Sequence, residues 1–349
     1  MVNIAELVRN VYFWVVAILL LIVVAAHYTT VNSGTTHIVV IVLGIIPTGF
    51  CAVHFGYRPG FVVGLLLGLL LLADMAMFSV HTVNIEMSVE LVTVAGLVGL
   101  GVVAGNWADR SRENGPHLEP GQYFWDFAAK TAVGQYITER EDEFLRRCLV
   151  DFPNKPKVIV DAGAGSGRFE TLLASFASWV ITTEIDQSLV HRLSQAGNNV
   201  LPLLVSDTAK CLPLADDSVD CVVCMEVPAL AEQNWFYAEC LRVLRPGGAI
   251  IVSVTNRLSW KGALAVLRPK RYVRKHARYY QRTIRDVRLT LKRDGFAIRR
   301  VAGLNWIPFP HASDSPLVRP VVVLEKTIGL HRLNCLSPWV LVEARKPLL

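Results

Sequence analysis

The chain has 349 residues, 52% hydrophobic and 18% charged, with a formal net charge of +6 and a mean hydropathy of +0.40. Ordinary soluble domains carry roughly 25% charged residues, so composition excludes a disordered chain, a disulfide-stapled secreted module and a plain cytosolic enzyme. The apolar excess is uneven: residues 10–57 contain no Asp, Glu, Lys or Arg, and charge returns at normal density from Asn106.

Four stretches, 11–30, 37–55, 60–80 and 87–105, each approach the ~20 apolar residues that a spanning helix needs. The first has only Arg9 ahead of it and three similar stretches behind it, so it reads as an uncleaved anchor rather than a secretion signal. Arg9, Arg58, Arg110 and Arg112 all fall on one side of these stretches, while loops 30–36 and 81–86 hold no Lys or Arg. The positive-inside bias then gives an integral membrane protein with both termini and the globular domain in the cytoplasm. Asp74 and Glu90 lie toward outer helix ends, where snorkelling accommodates a charge. Gly64 and Gly68 allow a close helix approach.

The expected organisation is a transmembrane domain over 1–105, a linker with amphipathic helices over 106–150, and a globular domain over 151–349. Residues 125–150 have helical spacing with a charged middle at 139–143. The run 158–160 ends at Asp161, and Gly163-Ala164-Gly165-Ser166-Gly167 follows. A second run, 179–183, ends at Glu184; further short strands are expected at 199–204, 218–225, 248–254 and 339–343, with helical stretches between most of them. Strands alternating with helices mean βαβ units and a doubly wound parallel sheet. The third glycine comes two residues after the second, where a dinucleotide fingerprint has it three after, and Arg168 holds that place. Seven scattered cysteines are unlike a disulfide framework; Cys221 and Cys224 form a lone pair inside the apolar run 219–225 and read as small core residues, with no metal site.

Asp161-Ala162-Gly163-Ala164-Gly165-Ser166-Gly167 resembles the first motif of class I S-adenosylmethionine-dependent methyltransferases, in the group similar to ubiquinone/menaquinone-biosynthesis methyltransferases. Glu184-Ile185-Asp186, the segments 206–208 and 212–220, and 239–248 continue the resemblance in order, over roughly half the chain. It implies a Rossmann-like, mostly parallel seven-stranded sheet and S-adenosylmethionine as cofactor. Gly163, Gly165 and Gly167 would let the loop touch the methionyl part, with N–H groups of a helix N-terminus at Ser166 facing its carboxylate. Asp161 would balance the ammonium, Glu184 would accept the ribose hydroxyls, and Asp207, aided by Thr208, would take the adenine amino hydrogen. Asp186 reads as a helix N-cap. Glu226 and His276 are the candidate catalytic bases; an amine acceptor would need none.

Segment 257–300 holds fifteen Lys or Arg against two acids, a net +13, which leaves −7 on the rest of the chain. Such a lid segment suits an anionic cytoplasmic leaflet rather than nucleic acid when the domain is tethered beneath a bilayer; arginines 278, 282, 285 and 288 would form one helical face. The insertion 302–336, with Trp306-Ile307-Pro308-Phe309-Pro310, suggests an apolar cover or a second membrane contact. The expected function is methyl transfer to a lipophilic or amphiphilic small molecule at the membrane, with membrane lipids as partners. Two readings stay open beside it: a membrane sensor that binds the cofactor without turnover, and a tethered protein or RNA methyltransferase.

Overall fold

The computed structural model describes residues 11–30, 44–55, 57–78, single positions 96, 98, 99 and 101, and then 123–267, 273–274 and 277–348. The chain divides into two compact units, Met1–His117 and Leu118–Leu349. The first contains α1 (Val11–Thr30), α2 (Ile45–Phe55) and α3 (Tyr57–Phe78). Val16, Cys51, Val63 and Leu67 form its buried cluster. A Cβ at Gly60 would lie 2.6 Å from the Cβ of Ala52, so the α2–α3 crossing needs glycine there.

Among the described residues no helix is long and apolar enough to cross a membrane. This overturns the integral-membrane location, with both termini and the globular domain cytoplasmic, expected from composition. Of the second expected span, the described part is the 11 residues of α2, about 16 Å at 1.5 Å per residue against a hydrocarbon core of about 30 Å; residues 37–43 lie outside the described residues. The fourth span, apart from four single positions, lies outside the described residues, as does Glu90.

The second unit opens with α4 (Phe124–Ala128) and α5 (Ala132–Val150). Thr131 caps α5, its hydroxyl accepting from the Gly134 N–H at 3.2 Å. The alternation then runs β1 (Val158–Ala162), α6 (Glu170–Phe176), β2 (Trp179–Glu184), α7 (Gln187–Leu193), β3 (Val200–Leu204), β4 (Val219–Cys224), α8 (Pro228–Ala231), α9 (Asn234–Val243) and β5 (Leu244–Thr255). After α10 (Trp260–Leu267) comes a two-stranded ribbon, β6 (Val273–Arg274) and β7 (Ala277–Arg278), then α11 (Ile284–Arg293), β8 (Ala297–Leu304), α12 (Val318–Ile328) and β9 (Trp339–Arg345).

The main sheet has the order β3-β2-β1-β4-β5-β9-β8. The first five strands are parallel, and β9 runs antiparallel to both neighbours. Strand order reverses at β1, so a crevice opens beyond the carboxyl ends of β1 and β4, the place where doubly wound sheets take ligands. Phe236, Tyr237, Cys240 and Val243 of α9 and Ile284, Val287 and Leu291 of α11 pack against β1, β4, β5 and β9 in one core. Cys221 and Cys224 are fully buried on β4, and burial pushes both thiols up. Strand β5 starts earlier than its apolar run suggested, because Leu244 already pairs with Val219, ahead of a register shift over Arg245–Gly248 with Gly247 at φ +81°.

The basic face is narrower than its arginine spacing implied. Arg278 lies in β7 and Arg282 precedes α11. Arg282 turns inward, donating to the Asp286 carbonyl and the Thr290 hydroxyl. Arg285, Arg288, Lys292 and Arg293 remain as the cations along α11, Arg293 paired with Asp294. Residues 268–272 and 275–276, and with them His276, lie outside the described residues.

Candidate active site

The turn after β1 is built from glycines for a steric reason. Gly163, Gly165 and Gly167 sit at φ +79°, +61° and +91°, in the left-handed region that a Cβ disfavours. A Cβ on Gly163 would meet Val227 at 2.8 Å, and one on Gly165 would meet the Tyr123 hydroxyl at 2.5 Å. The loop is tied to β2: the Gly163 N–H donates to the Thr183 carbonyl at 2.9 Å, and the Gly165 N–H to Glu184 Oε2 at 2.9 Å. The other oxygen of Glu184 accepts from the Ile185 N–H at 2.7 Å. The carboxylate at the end of β2 is therefore held beside the glycine turn. Asp186 caps α7, accepting from the Ser188 hydroxyl at 2.6 Å and the Ser188 N–H at 2.8 Å, which together lower its carboxyl.

Beyond β1 lies a cavity, partly open to solvent, whose walls include Tyr123, Trp125, Asp161, Arg168, Met225 and Glu226. Asp161 and Glu170 are both buried, and Asp161 is pushed well up, by burial first and by the neighbouring Glu170 second. Arg168 bridges the floor. Its guanidinium lies 2.8 Å from Glu141 of α5 and 3.5 Å from Glu226, donates to Thr138 Oγ1 at 3.1 Å, and stacks 4.4 Å from the rings of Trp125 and Phe169. Burial raises the carboxyls of Glu141 and Glu226 against the pull of that guanidinium. Tyr123 closes over Gly165; burial, with Glu184 and Glu226 nearby, pushes its phenol up to about 12.

Glu226 follows β4 at φ +59°, with its N–H donating to Ser253 Oγ at 2.6 Å. It also borders a second, narrow cavity, lined by Pro228, Ala231, Glu232, Val254, Thr255, Tyr279 and Trp339 among others. Tyr280 lies at φ +60° and is buried, its N–H donating to Thr255 Oγ1 at 2.7 Å and its hydroxyl accepting from the Trp339 indole at 3.3 Å. That anchor leaves its neighbour Tyr279 on the cavity wall. His311, stacked on Trp125 and edge-on to Trp339, stands between the two sets of walls and contacts Asn305 Nδ2 at 3.1 Å. It comes from the insertion after β8, whose Ile307 and Phe309 are buried rather than presented outward.

The sequence-predicted residues fall in three groups. Asp161, Gly163 and Glu226 line the main cavity, and Gly165, Gly167 and Glu184 frame its turn. Asp207 and Thr208 sit exposed beyond β3 and are not among the lining residues, Thr208 sharing a 2.8 Å hydroxyl contact with Ser206. Helix α6 begins at Glu170 rather than Ser166, so the N–H groups of 163–167 belong to a turn and not to a helix terminus. Sequence reasoning passed over Glu141, Arg168, Tyr123 and Trp125. Glu141 carried a signal: with Gly134, Ile137, Leu145 and Cys148 it shares the buried stripe of α5.

A family model described as a methyltransferase domain matches residues 160–252. The chain is similar to a protein of Mycolicibacterium smegmatis named "Probable S-adenosylmethionine-dependent methyltransferase", with 38% identity over 103 residues, 29% of this chain and 39% of that one. It is also similar to an uncharacterized methyltransferase of Mycobacterium ulcerans, with 30% identity over 194 residues, 54% of this chain and 72% of that one. A solved S-adenosylmethionine-dependent methyltransferase of Thermotoga maritima aligns at a TM-score of 0.44 and 18% identity, over 61% of this chain and 91% of that one.

Proposed function

Because the chain belongs to the S-adenosylmethionine-dependent methyltransferases, we propose that it methylates a small, largely apolar acceptor seated in the second cavity. The observation that carries this reading is that one residue, Glu226, borders both cavities, so a donor in one and an acceptor in the other would meet at the end of β4. Pro228, Ala231, Val254, Tyr279 and Trp339 give the second cavity its apolar character.

The residues around the glycine turn fit the family's cofactor. Glu141, Asp161, Glu170 and Glu226 are buried around a single cation, Arg168, a surplus of carboxylate that suits a ligand bearing ammonium and sulfonium charges. Asp161 would hold the ammonium, the N–H groups of the turn the carboxylate, and Glu184 the ribose hydroxyls. Asp207 and Thr208 would act at the adenine rim. The bound cofactor supplies a methyl group already activated on sulfur, so the protein's work is alignment and exclusion of water. Tyr123 and Trp125 cover the turn for that purpose, and Arg168 fixes Glu226 at the junction. The narrower likeness to quinone-biosynthesis methyltransferases, resting on segments 212–220 and 239–248, belongs to the same proposal. So does contact between Arg285, Arg288 and Lys292 and an anionic lipid surface, which co-sedimentation with anionic vesicles tests.

The functional test incubates purified protein with methyl-labelled cofactor and a cell extract, then partitions the products. Label in organic-soluble small molecules supports the reading. Label confined to protein or RNA, or cofactor binding without transfer, refutes it.

A further inference from the structure

The second cavity has a chemistry of its own. Among the described residues its lining holds two carboxylate residues, Glu226 and Glu232, two aromatic rings, Tyr279 and Trp339, and neither Lys nor Arg. The two acids are not equivalent. The Glu226 side chain is 3% exposed and faces Arg168 and Glu141, inside the cofactor-side cluster. Glu232 is only half-buried, and one of its oxygens is fixed by the Thr255 hydroxyl at 2.7 Å. Thr255 is fixed in turn by the Tyr280 N–H. Arg282, whose charge reaches Glu232, is committed to Asp286, Thr290 and the Tyr237 ring.

A carboxylate steadied beside two aromatic rings is a setting for a cation, since ring faces and carboxylate both attract one in a partly dry space. An acceptor bearing carboxylate or phosphate would instead bring like charge against Glu232 and Glu226. Taking the methyltransferase reading as its basis, we infer that the acceptor is a small amine, bound as its ammonium by Glu232 between Tyr279 and Trp339.

The chemistry balances. The ammonium gives one proton to the Glu232 carboxylate, leaving a neutral amine. The nitrogen lone pair then forms the bond to the methyl carbon while the carbon–sulfur bond breaks, its electron pair staying on sulfur. The methylated nitrogen carries the positive charge, and the proton on Glu232 passes to solvent. Burial holds the Glu232 carboxyl up at about 7, against Thr255 and Arg282, which suits proton exchange with an amine.

The test uses the full chain saturated with adenosylhomocysteine and three probes of matched shape: phenethylamine, 2-phenylethanol and phenylacetate. Ligand-detected NMR and calorimetry read their binding. The expected result is that the amine binds at least tenfold tighter than the alcohol, and the acid not at all. Glu232→Gln should abolish that preference while adenosylhomocysteine affinity stays within twofold; Glu232→Asp should keep part of it, which a purely structural role for Glu232 would not explain. Equal binding of amine and alcohol, preference for the acid, or an unchanged preference in Glu232→Gln overturns the inference, as does failure of the amine to bind. If adenosylhomocysteine itself does not bind, it is the methyltransferase reading that has failed.

Discussion

Replacing Arg168 with Met removes the one cation in a buried group of acids. The guanidinium lies 2.8 Å from Glu141 and 3.5 Å from Glu226, and both carboxylates are nearly inaccessible, at 0% and 3% side-chain exposure. Taking one partner out of a buried pair costs about 3–5 kcal/mol, because the remaining charge is left unpaired. The lost stacking on Trp125 and Phe169 adds to this, while Met retains part of the apolar contact. The deficit should depend on pH in a definite direction. Burial already raises both carboxyls, and Arg168 is the group that lowers them. In Arg168→Met their folded values rise further above the unfolded ones. The unfolded chain then ionises more readily, and stability is lost as pH climbs from the unfolded value toward the folded ones. Urea unfolding at pH 5 and pH 8 measures this. The deficit should be small at pH 5 and reach about 3 kcal/mol or more at pH 8, and the triple variant Arg168→Met, Glu141→Gln, Glu226→Gln should recover most of it. A deficit below about 1 kcal/mol, or one independent of pH, refutes the account of the cluster.

Gly165→Ala should cost about 1–2 kcal/mol in unfolding free energy for a left-handed alanine, and it should weaken adenosylhomocysteine binding by displacing Tyr123; adding Tyr123→Ala relieves the contact but not the backbone cost. Lys261 is buried, with Nζ 2.6 Å from Asn305 Oδ1, and burial holds it down at about 7. Its folded value lies below the unfolded one, so the unfolded chain binds more protons between the two, and wild type should gain about 1.4 kcal/mol per pH unit over Lys261→Met between pH 7.5 and 9.5. Paired denaturation series at those pH values check the slope. Glu343, buried on β9, pairs with Arg300 and Arg345; Glu343→Ala should destabilise by about 3 kcal/mol in urea unfolding.

Several features were legible because they are local. A β-branched run ending in an acid and three glycines placed β1 and its turn, the apolar run 219–225 placed β4 with its buried cysteines, and Asp186 read as a cap. Others depend on distant partners. Glu141 lies in a charged run that looks solvated, and it is buried because Arg168, 27 positions later, meets it inside. The arginine spacing 278–288 suggested one helix face, but α11 starts only at Ile284, fixed by the Thr283–Asp286 capping box. Composition spoke for four spans, yet among the described residues no helix is long and apolar enough to cross a membrane. Tyr279 turned toward the cavity because Tyr280 is anchored by Thr255 and Trp339, pairings that only the assembled sheet creates.

The most direct measurement is calorimetric titration of adenosylhomocysteine into the purified chain and its Glu184→Ala variant. The carboxylate now fixed by the N–H groups of Gly165 and Ile185 should accept the ribose hydroxyls, and bonds to a charged group are worth about 1.5–3 kcal/mol. Saturable one-to-one binding, weakened at least about tenfold in the variant, is the predicted result. No heat with the wild-type chain, or equal affinity in both proteins, would contradict the assignment of this crevice.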